Sequence, residues 1–391
     1  MGKPDLKRNI YFGDKTVLLM SFLAAISFLS QLFANTVIIS LCFTLSMVCV
    51  FVLFILRFES WRKMELMVVF ALIIMAIAIV SDGIQGRFDY YKRAVIFAIV
   101  LMSMSILPYL KISKGTKQVV AIIFLLVAIF TIFQFFFTDL KEEYYGSTKS
   151  VTLNFDNPNE AGLWLMGIFA LLFGWVFSEK KFICWLITLP VLILLAYIVY
   201  LTGARTSLIS MLLMIVFFAF KSFFIKRHIP RWIIFVLVIL PIIVFFLYMY
   251  VLIPNLNFFN SLFSGSGVDK TLTTRLRPWQ KVLQDLKTCF LFGQYEEYVN
   301  VNVHNSLMSL YSMFGVFFLA FVCAIIFLVC IKTEKQHSVL STLALLTILS
   351  TGCFETAVFN GASGFYLMLV LVPICVSENN VPGGISESAE K

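Results

Sequence analysis

The chain has 391 residues, of which 61% are hydrophobic and only 13% are charged, and its formal net charge is +9. Soluble domains carry about 45–50% apolar and about 25% charged residues, so this chain cannot cover a globular surface with polar groups. Its positive charges are scattered between apolar runs and form no basic block, which excludes a nucleic-acid-binding arm and is typical of membrane proteins. We therefore expect a polytopic membrane protein with no nucleic acid among its partners.

Apolar runs of about 18–22 residues, long enough to cross the hydrocarbon core of a bilayer, recur along the chain. The basic segment 1–15 leads into the first run, and because a second run follows at once, we expect an uncleaved helix and not a signal peptide. The sequence predicts an all-α bundle of about 12 transmembrane helices, of which the last two are short and interrupted by glycines. The predicted spans are 16–34, 36–56, 64–81, 94–110, 119–138, 160–178, 182–202, 207–225, 232–253, 305–331, 338–353 and 364–377.

The basic residues predict the orientation of this bundle. With the N-terminus in the cytoplasm, most of the 30 Lys and Arg residues fall on the cytoplasmic side, in agreement with the positive-inside rule. The two long connections, about 139–159 and 254–304, then lie outside the cytoplasm, and this asymmetry places the working face there. We expect a single membrane domain over residues 1–377, followed by a disordered cytoplasmic tail over 378–391.

The longest loop, 254–304, contains a segment with helical periodicity. Pro278 suits the first turn of a helix, and Trp279 begins a series of apolar residues that recur on one helical face. We predict a short amphipathic helix in this segment. It either lies on the outer membrane surface or packs as a lid on the bundle, and both alternatives put the loop over the mouth of the bundle.

One of the three histidines stands apart from the others. His228 and His337 lie in short predicted cytoplasmic loops beside Lys and Arg, whereas His304 stands where the long outer loop meets a helix. Asn305 follows it and can cap that helix. An imidazole at such a position can act as a general base, because imidazole titrates near neutral pH. The alternative is a polar residue at the membrane interface without a catalytic role.

Three arginines are candidates for binding an anion. Arg205 stands at the outer end of a nearly continuous apolar hairpin, in the sequence TGART at 202–206. An arginine at a membrane boundary either snorkels to the headgroups or holds an anion, because guanidinium binds phosphate in bidentate fashion. Arg275 and Arg277, just before the amphipathic segment, concentrate positive charge in the first half of the long loop. They either hold such an anion or face lipid headgroups.

Acidic and amide residues mark the other outer loop. Asn157 and Glu160 belong to the sequence NFDNPNE at 154–160, which is either a turn before a helix or a site for a sugar hydroxyl or a catalytic proton. Glu355 lies near membrane depth, where an unpaired acid is costly, and Arg205 could be its partner. The sequence holds no Gly-rich phosphate loop, no HExxH and no His or Cys cluster with metal spacing, so we expect no metal and no other cofactor.

The order of these motifs resembles the O-antigen ligase and O-antigen polymerase (Wzy-type) superfamily of bacterial membrane glycosyltransferases. The sequence TGART at a helix junction is followed by a long outer loop with Arg275 four residues before Trp279, then LFG at 291–293, HNSL at 304–307 and Gly315. The sequence NPN at 157–159 fits as well. The resemblance covers about residues 150–320, and Ala204 departs from it, because the family often has Ser before the arginine.

The resemblance implies glycosyl transfer on oligosaccharides linked to undecaprenyl pyrophosphate, at the outer face of the bacterial inner membrane. Arg205 and Arg275 would hold the donor's pyrophosphate, and His304 would take the proton from the acceptor hydroxyl. The expected substrate-binding residues are Arg277, Trp279, Asn305, Asn157 and Glu160. A flippase, a chain-length regulator and membrane lipids are the expected partners. The alternatives to a repeat-unit polymerase are a ligase that transfers a finished glycan, and a transporter of lipid-linked sugars.

Overall fold

The structure, a computed structural model, describes residues 6–33, 113–137, 142–145, 148–155, 158–179, 181–224 and 230–247, together with isolated helical residues between 37 and 48, at 73 and 76, and between 316 and 347. This part of the chain is helical apart from one β-hairpin. The elements are α1 (Leu6–Leu32), α2 (Lys114–Phe137), β1 (Glu142–Tyr145), β2 (Thr148–Val151), α3 (Pro158–Glu179), α4 (Phe182–Thr202), α5 (Arg205–Phe224) and α6 (Arg231–Leu247).

Among these helices, three are long and apolar enough to cross a membrane: α2, α4 and residues Pro158–Phe177 of α3. Two shorter apolar stretches occupy Val17–Leu32 in α1 and Arg205–Ala219 in α5. The chain thus has the helices of a membrane protein, as its composition predicts. The total of about 12 helices, the 254–304 loop with its amphipathic helix, and the 378–391 tail lie outside the described residues.

The predicted helix boundaries are close to the observed ones, but two helices begin earlier than their apolar runs. α1 begins at Leu6 and α2 at Lys114, because a helix can continue from the apolar core into a polar flank. Ser113 caps α2, since its hydroxyl accepts a hydrogen bond from the Thr116 backbone N–H at 3.3 Å. The Ser113 N–H in turn donates to the Asp14 carboxylate at 2.7 Å, which ties the start of α2 to α1.

α3 is the central helix of the described bundle. It is buried over residues 161–176, and α2, α4 and α5 all pack against it. Lipid is as apolar as these side chains, so helix association in a membrane depends on close packing and not on the hydrophobic effect. Aromatic rings provide much of that packing: Phe173 and Phe177 of α3 lie 4.8 and 5.1 Å, between ring centroids, from Phe218 of α5.

The described bundle has two distinct ends. One end, called the Arg205 end, contains Arg205, Gly162 and Leu32. Asn154, whose amide donates to the Leu32 carbonyl, lies at the same end. At the opposite Glu179 end, Lys114 lies 3.6 Å from Glu179, joining the start of α2 to the end of α3. Consequently α1, α2 and α4 run from the Glu179 end to the Arg205 end, and α3 and α5 run in the reverse direction.

A tight turn at 152–155 connects the hairpin to α3 at the Arg205 end. The strands pair antiparallel, Glu142 opposite Val151, and the turn follows at once, closed by the Phe155 N–H donating to the Thr152 carbonyl at 2.9 Å. Both central residues have positive φ, 50° at Leu153 and 61° at Asn154, a conformation that costs a bulky residue free energy. Such a turn persists only where its surroundings hold it in place.

Contacts from α1 and α3 hold this turn. The Asn154 amide donates to the Leu32 carbonyl at the end of α1, and the Asn154 carbonyl accepts from Gln31 at 3.2 Å. Phe155 is buried against Phe28 and Trp164, with ring centroids 6.0 and 6.3 Å away. The chain is therefore anchored on the bundle at residues 152–155, shortly before α3 begins.

Asn154 is expected to stabilise this anchor in two separable ways. Asn154→Gly removes the side-chain hydrogen bond, worth about 1 kcal/mol, but keeps the positive φ accessible. Asn154→Ala removes the bond and adds a left-handed strain of about 1–2 kcal/mol. We expect thermal unfolding midpoints of the purified protein in detergent to fall in the order Asn, Gly, Ala. If Ala and Gly were equal, the left-handed conformation of residue 154 would contribute nothing.

Candidate functional site

The candidate site is built around the turn between α4 and α5. Gly203 ends α4 with φ 72°, a left-handed conformation that glycine adopts without steric cost, and its N–H donates to the Tyr200 carbonyl at 3.1 Å. The Thr202 hydroxyl donates to the Val199 carbonyl at 2.8 Å and accepts from the Ala204 N–H at 3.3 Å. The Arg205 N–H donates to the Gly203 carbonyl at 2.8 Å. Each residue of the turn is thus fixed by a hydrogen bond.

This turn places Arg205 as the first residue of α5, with its side chain exposed. Within the part of the chain that the structure describes, its guanidinium makes no hydrogen bond or ion pair. The N-terminus of a helix carries partial positive charge from its unpaired N–H groups, which attracts anions. Tyr200, which is 65% exposed, lies in the last turn of the preceding helix, α4. The guanidinium is therefore available to an anionic ligand at the end of an apolar hairpin.

The start of α3 adds an acid at the same end of the bundle. Pro158 is the first residue of α3, where its missing N–H and fixed φ suit a helix start. Glu160 lies in the first turn, the place where a carboxylate is stabilised by the helix dipole. Its side chain is half-buried and takes part in an interaction. A carboxylate and a guanidinium thus occupy the first turns of two neighbouring helices.

Close packing between α3 and α5 brings these two turns together. Gly162 of α3 faces Ala204 and Ser207, and a Cβ at position 162 would overlap the Cβ of Ala204 and lie 3.1 Å from the Ser207 hydroxyl oxygen. Ala204 and Ser207 are 1% and 0% exposed. The Ser207 hydroxyl is buried without a hydrogen-bond partner among the described residues. Residues without bulk at this crossing let the two backbones approach closely.

Charged residues of the described bundle are confined to its two ends. At the Glu179 end, the Glu179 carboxylate accepts from Gln118 at 3.4 Å and lies near Lys114, whose side chain is 73% exposed. The spans 16–33, 119–137, 161–178, 182–202 and 206–220 contain no Asp, Glu, Lys or Arg. The ends of α3 are about 33 Å apart for its 22 residues. Arg205 and Glu160 are therefore separated from this second polar region by a membrane-thick apolar layer.

The structure describes two of the eight predicted site residues and places both at the Arg205 end. Arg205 lies at the junction of α4 and α5, as predicted. Glu160 lies in the first turn of α3, the helix whose Gly162 contacts Ala204 and Ser207. Glu355, the acid expected to pair with Arg205, lies outside the described residues, as do six predicted site residues. These six are Asn157, Arg275, Arg277, Trp279, His304 and Asn305. In the described residues, no group of three or more His, Cys, Asp or Glu could hold a metal.

Two features of this end did not emerge from the sequence motifs. One is the strained turn at Leu153 and Asn154, for which the only sequence signal is that Asn tolerates positive φ. The other is Gly162, for which the signal is a glycine in the first turns of an apolar helix, a common sign of close helix contact. Neither signal identifies the contacting residue, which is Leu32 for Asn154 and Ala204 for Gly162 in the structure.

No known family model and no curated protein matches this chain.

Proposed function

We propose that the chain is a bacterial inner-membrane polymerase that joins oligosaccharide repeat units carried on undecaprenyl pyrophosphate, for a capsule, an O-antigen or an exopolysaccharide. The observation that carries the proposal is the exposed Arg205 guanidinium, which is without an ion-pair partner in the described residues, at the end of an apolar hairpin. An arginine so placed suits a diphosphate that a lipid tail holds at the membrane surface. The sequence TGART around it is one of the motifs whose order along the chain resembles the Wzy-type superfamily.

In the proposed reaction, the acceptor hydroxyl oxygen attacks the anomeric carbon of the donor sugar. The bond from that carbon to the diphosphate oxygen breaks, and the electron pair leaves with undecaprenyl diphosphate. Arg205 and Arg275 stabilise the charge that develops on this leaving group, so that no metal is required. The hydroxyl proton passes to His304, and the configuration of the anomeric carbon inverts.

The remaining predicted residues bind and orient the sugars. Trp279 offers an aromatic surface, and Arg277 adds a second cation beside Arg275. Asn305, Asn157 and Glu160 offer hydrogen-bonding groups for hydroxyls. Glu160 is the one of these five that the structure describes; its position in the first turn of α3, the helix whose Gly162 contacts Ala204, supports its inclusion.

Two alternatives use the same lipid-linked substrates. A ligase would use the same cations and base but pass a finished glycan to another lipid or a protein. A transporter would instead be expected to hold charged residues near the middle of the membrane. The apolar interiors of the described helices, with their charges at the ends, favour a surface reaction over transport.

Deletion of the chain from its source cell, followed by analysis of surface and lipid-linked glycan, tests the proposal. A polymerase predicts single repeat units left on the lipid carrier and loss of long glycan chains, both reversed by the wild-type gene. Full-length chains stranded on the carrier would indicate the ligase instead. Unaltered glycan in both pools would refute a role in glycan assembly.

A further inference from the structure

Gly162 of α3 lies in close contact with Ala204, the residue directly before α5. A Cβ at residue 162 would overlap the Ala204 methyl group, and it would also lie 3.1 Å from Oγ and 3.4 Å from Cβ of Ser207. Two of these three atoms belong to Ser207 in the first turn of α5, and the third belongs to Ala204, the residue directly before α5. Any enlargement at residue 162 must therefore displace either α3 or the first turn of α5.

α3 is the better anchored of the two helices. The turn before it is bonded to the end of α1 through Asn154. Trp164, in the second turn of the helix, packs on Phe28 with ring centroids 5.5 Å apart. Its residues 161–176 are buried on all sides. The first turn of α5, in contrast, begins at an exposed arginine. A displacement would accordingly fall on α5.

The α4–α5 turn transmits such a displacement to Arg205. Ala204 directly precedes the arginine. Its N–H donates to the Thr202 hydroxyl, and the Arg205 N–H donates to the Gly203 carbonyl. Ala204 also accepts the first hydrogen bond of α5, from the Leu208 N–H at 3.1 Å. The Arg205 backbone therefore moves together with Ala204.

We infer that Gly162 is a positioning residue, whose lack of a side chain sets the position of Arg205 for diphosphate binding. The inference rests on the proposed function, because Arg205 is the diphosphate ligand in it. Gly162 touches no substrate in this scheme and acts only through Ala204. A misplacement of about 1 Å can lower a catalysed rate by about 100-fold, and we expect a smaller loss in the affinity of a misplaced binding group.

The test exchanges the methyl group between the two sides of the contact. Gly162→Ala adds a methyl, Ala204→Gly removes the one that it meets, and the double variant carries one methyl as the wild type does. Gly115→Ala is the matched control, because a Cβ at residue 115 meets nothing within 4 Å. Full-length variants in nanodiscs are titrated with undecaprenyl diphosphate, and the thermal unfolding midpoint of each is measured in parallel.

We expect Gly162→Ala to weaken undecaprenyl diphosphate binding about tenfold or more, with the unfolding midpoint lowered by only a few degrees. The double variant should regain affinity to within about threefold of wild type, because the overlap with the Ala204 methyl is gone and only the milder approach to the Ser207 hydroxyl remains. Gly115→Ala should bind as the wild type does. Ala204→Gly alone introduces no clash and should weaken binding modestly, because it loosens the contact. If Gly162→Ala does not fold, this variant tests the positioning role.

The outcomes separate this inference from the proposed function. Wild-type binding by both Gly162→Ala and Ala204→Gly, with binding lost in Arg205→Ala, would overturn the positioning role and leave the function standing. Affinity that falls only in step with the unfolding midpoint, without recovery in the double variant, would also overturn it, since that is the behaviour of a purely structural glycine. Wild-type binding by Arg205→Ala would instead refute the proposed diphosphate site.

Discussion

Arg205→Lys is expected to lower the rate of glycan chain extension by about 100-fold, and Arg205→Ala to lower it at least as far. Lysine keeps the positive charge but replaces a planar fork of N–H donors with a point charge, so bidentate binding of a phosphate group is lost. The measurement is glycan chain length in a deletion strain that expresses each variant, with the amount of membrane-inserted protein determined alongside.

Because Arg205 is exposed, substituting it is not expected to unfold the protein. Substitutions at exposed positions without structural partners usually change stability by about 0.5 kcal/mol or less, so unfolding would not account for a large loss of activity. Arg231 provides a matched control, because it is also exposed and is also the first residue of its helix, α6. Arg231→Lys should extend chains as the wild type does. Near-normal extension by Arg205→Lys would mean that Arg205 only snorkels to the headgroups.

Hydropathy predicts the described helices well, because the requirement behind it is severe. Backbone N–H and C=O groups in lipid must bond internally, so a long apolar run has few alternatives to a helix. The prediction 182–202 for α4 coincides with the observed helix, and 160–178 differs from α3 by two residues at the start and one at the end. Polar flanks such as that of α2 escape the prediction because hydropathy does not register capping by Ser113.

Spatial relations between helices are the part that the sequence did not supply. The sequence TGART marks a junction and an arginine, but nothing in it identifies α3 as the neighbour of that junction. The neighbour is selected by the fit of Gly162 against Ala204 and Ser207, a property of two surfaces and not of one segment. The same holds for Asn154, whose partner Leu32 lies 122 residues away in the chain.

The hairpin in the 139–159 connection was not anticipated either. The sequence predicts a loop in this segment, whereas the structure pairs Glu142–Tyr145 with Thr148–Val151. A short two-stranded hairpin is marginally stable alone, so its formation depends on what holds it. The turn at 152–155 supplies that support by fixing the chain on α1 and α3 immediately after the second strand.

His304→Ala is expected to abolish chain extension while the protein still inserts and folds. A positioned general base contributes about 100- to 10,000-fold to a rate, and His304 is the one histidine that the predicted topology puts outside the cytoplasm. His228→Ala and His337→Ala are the controls, because both fall in short predicted cytoplasmic loops. The assay is the chain-length measurement used for Arg205. Normal glycan length in His304→Ala would end the assignment of His304 as the base.

The double variant that combines Arg205→Ala with His304→Ala tests whether the two residues act in the same step. If the base removes the acceptor proton while the guanidinium stabilises the departing diphosphate, each group is of use only while the other is present. Residues that act as a unit are strongly non-additive, so the double variant should be about as slow as the slower single variant. If the fold-losses of the two single variants multiply in the double variant, the two residues act in separate steps and Arg205 serves substrate binding alone. A single displacement step that uses both residues would then be wrong.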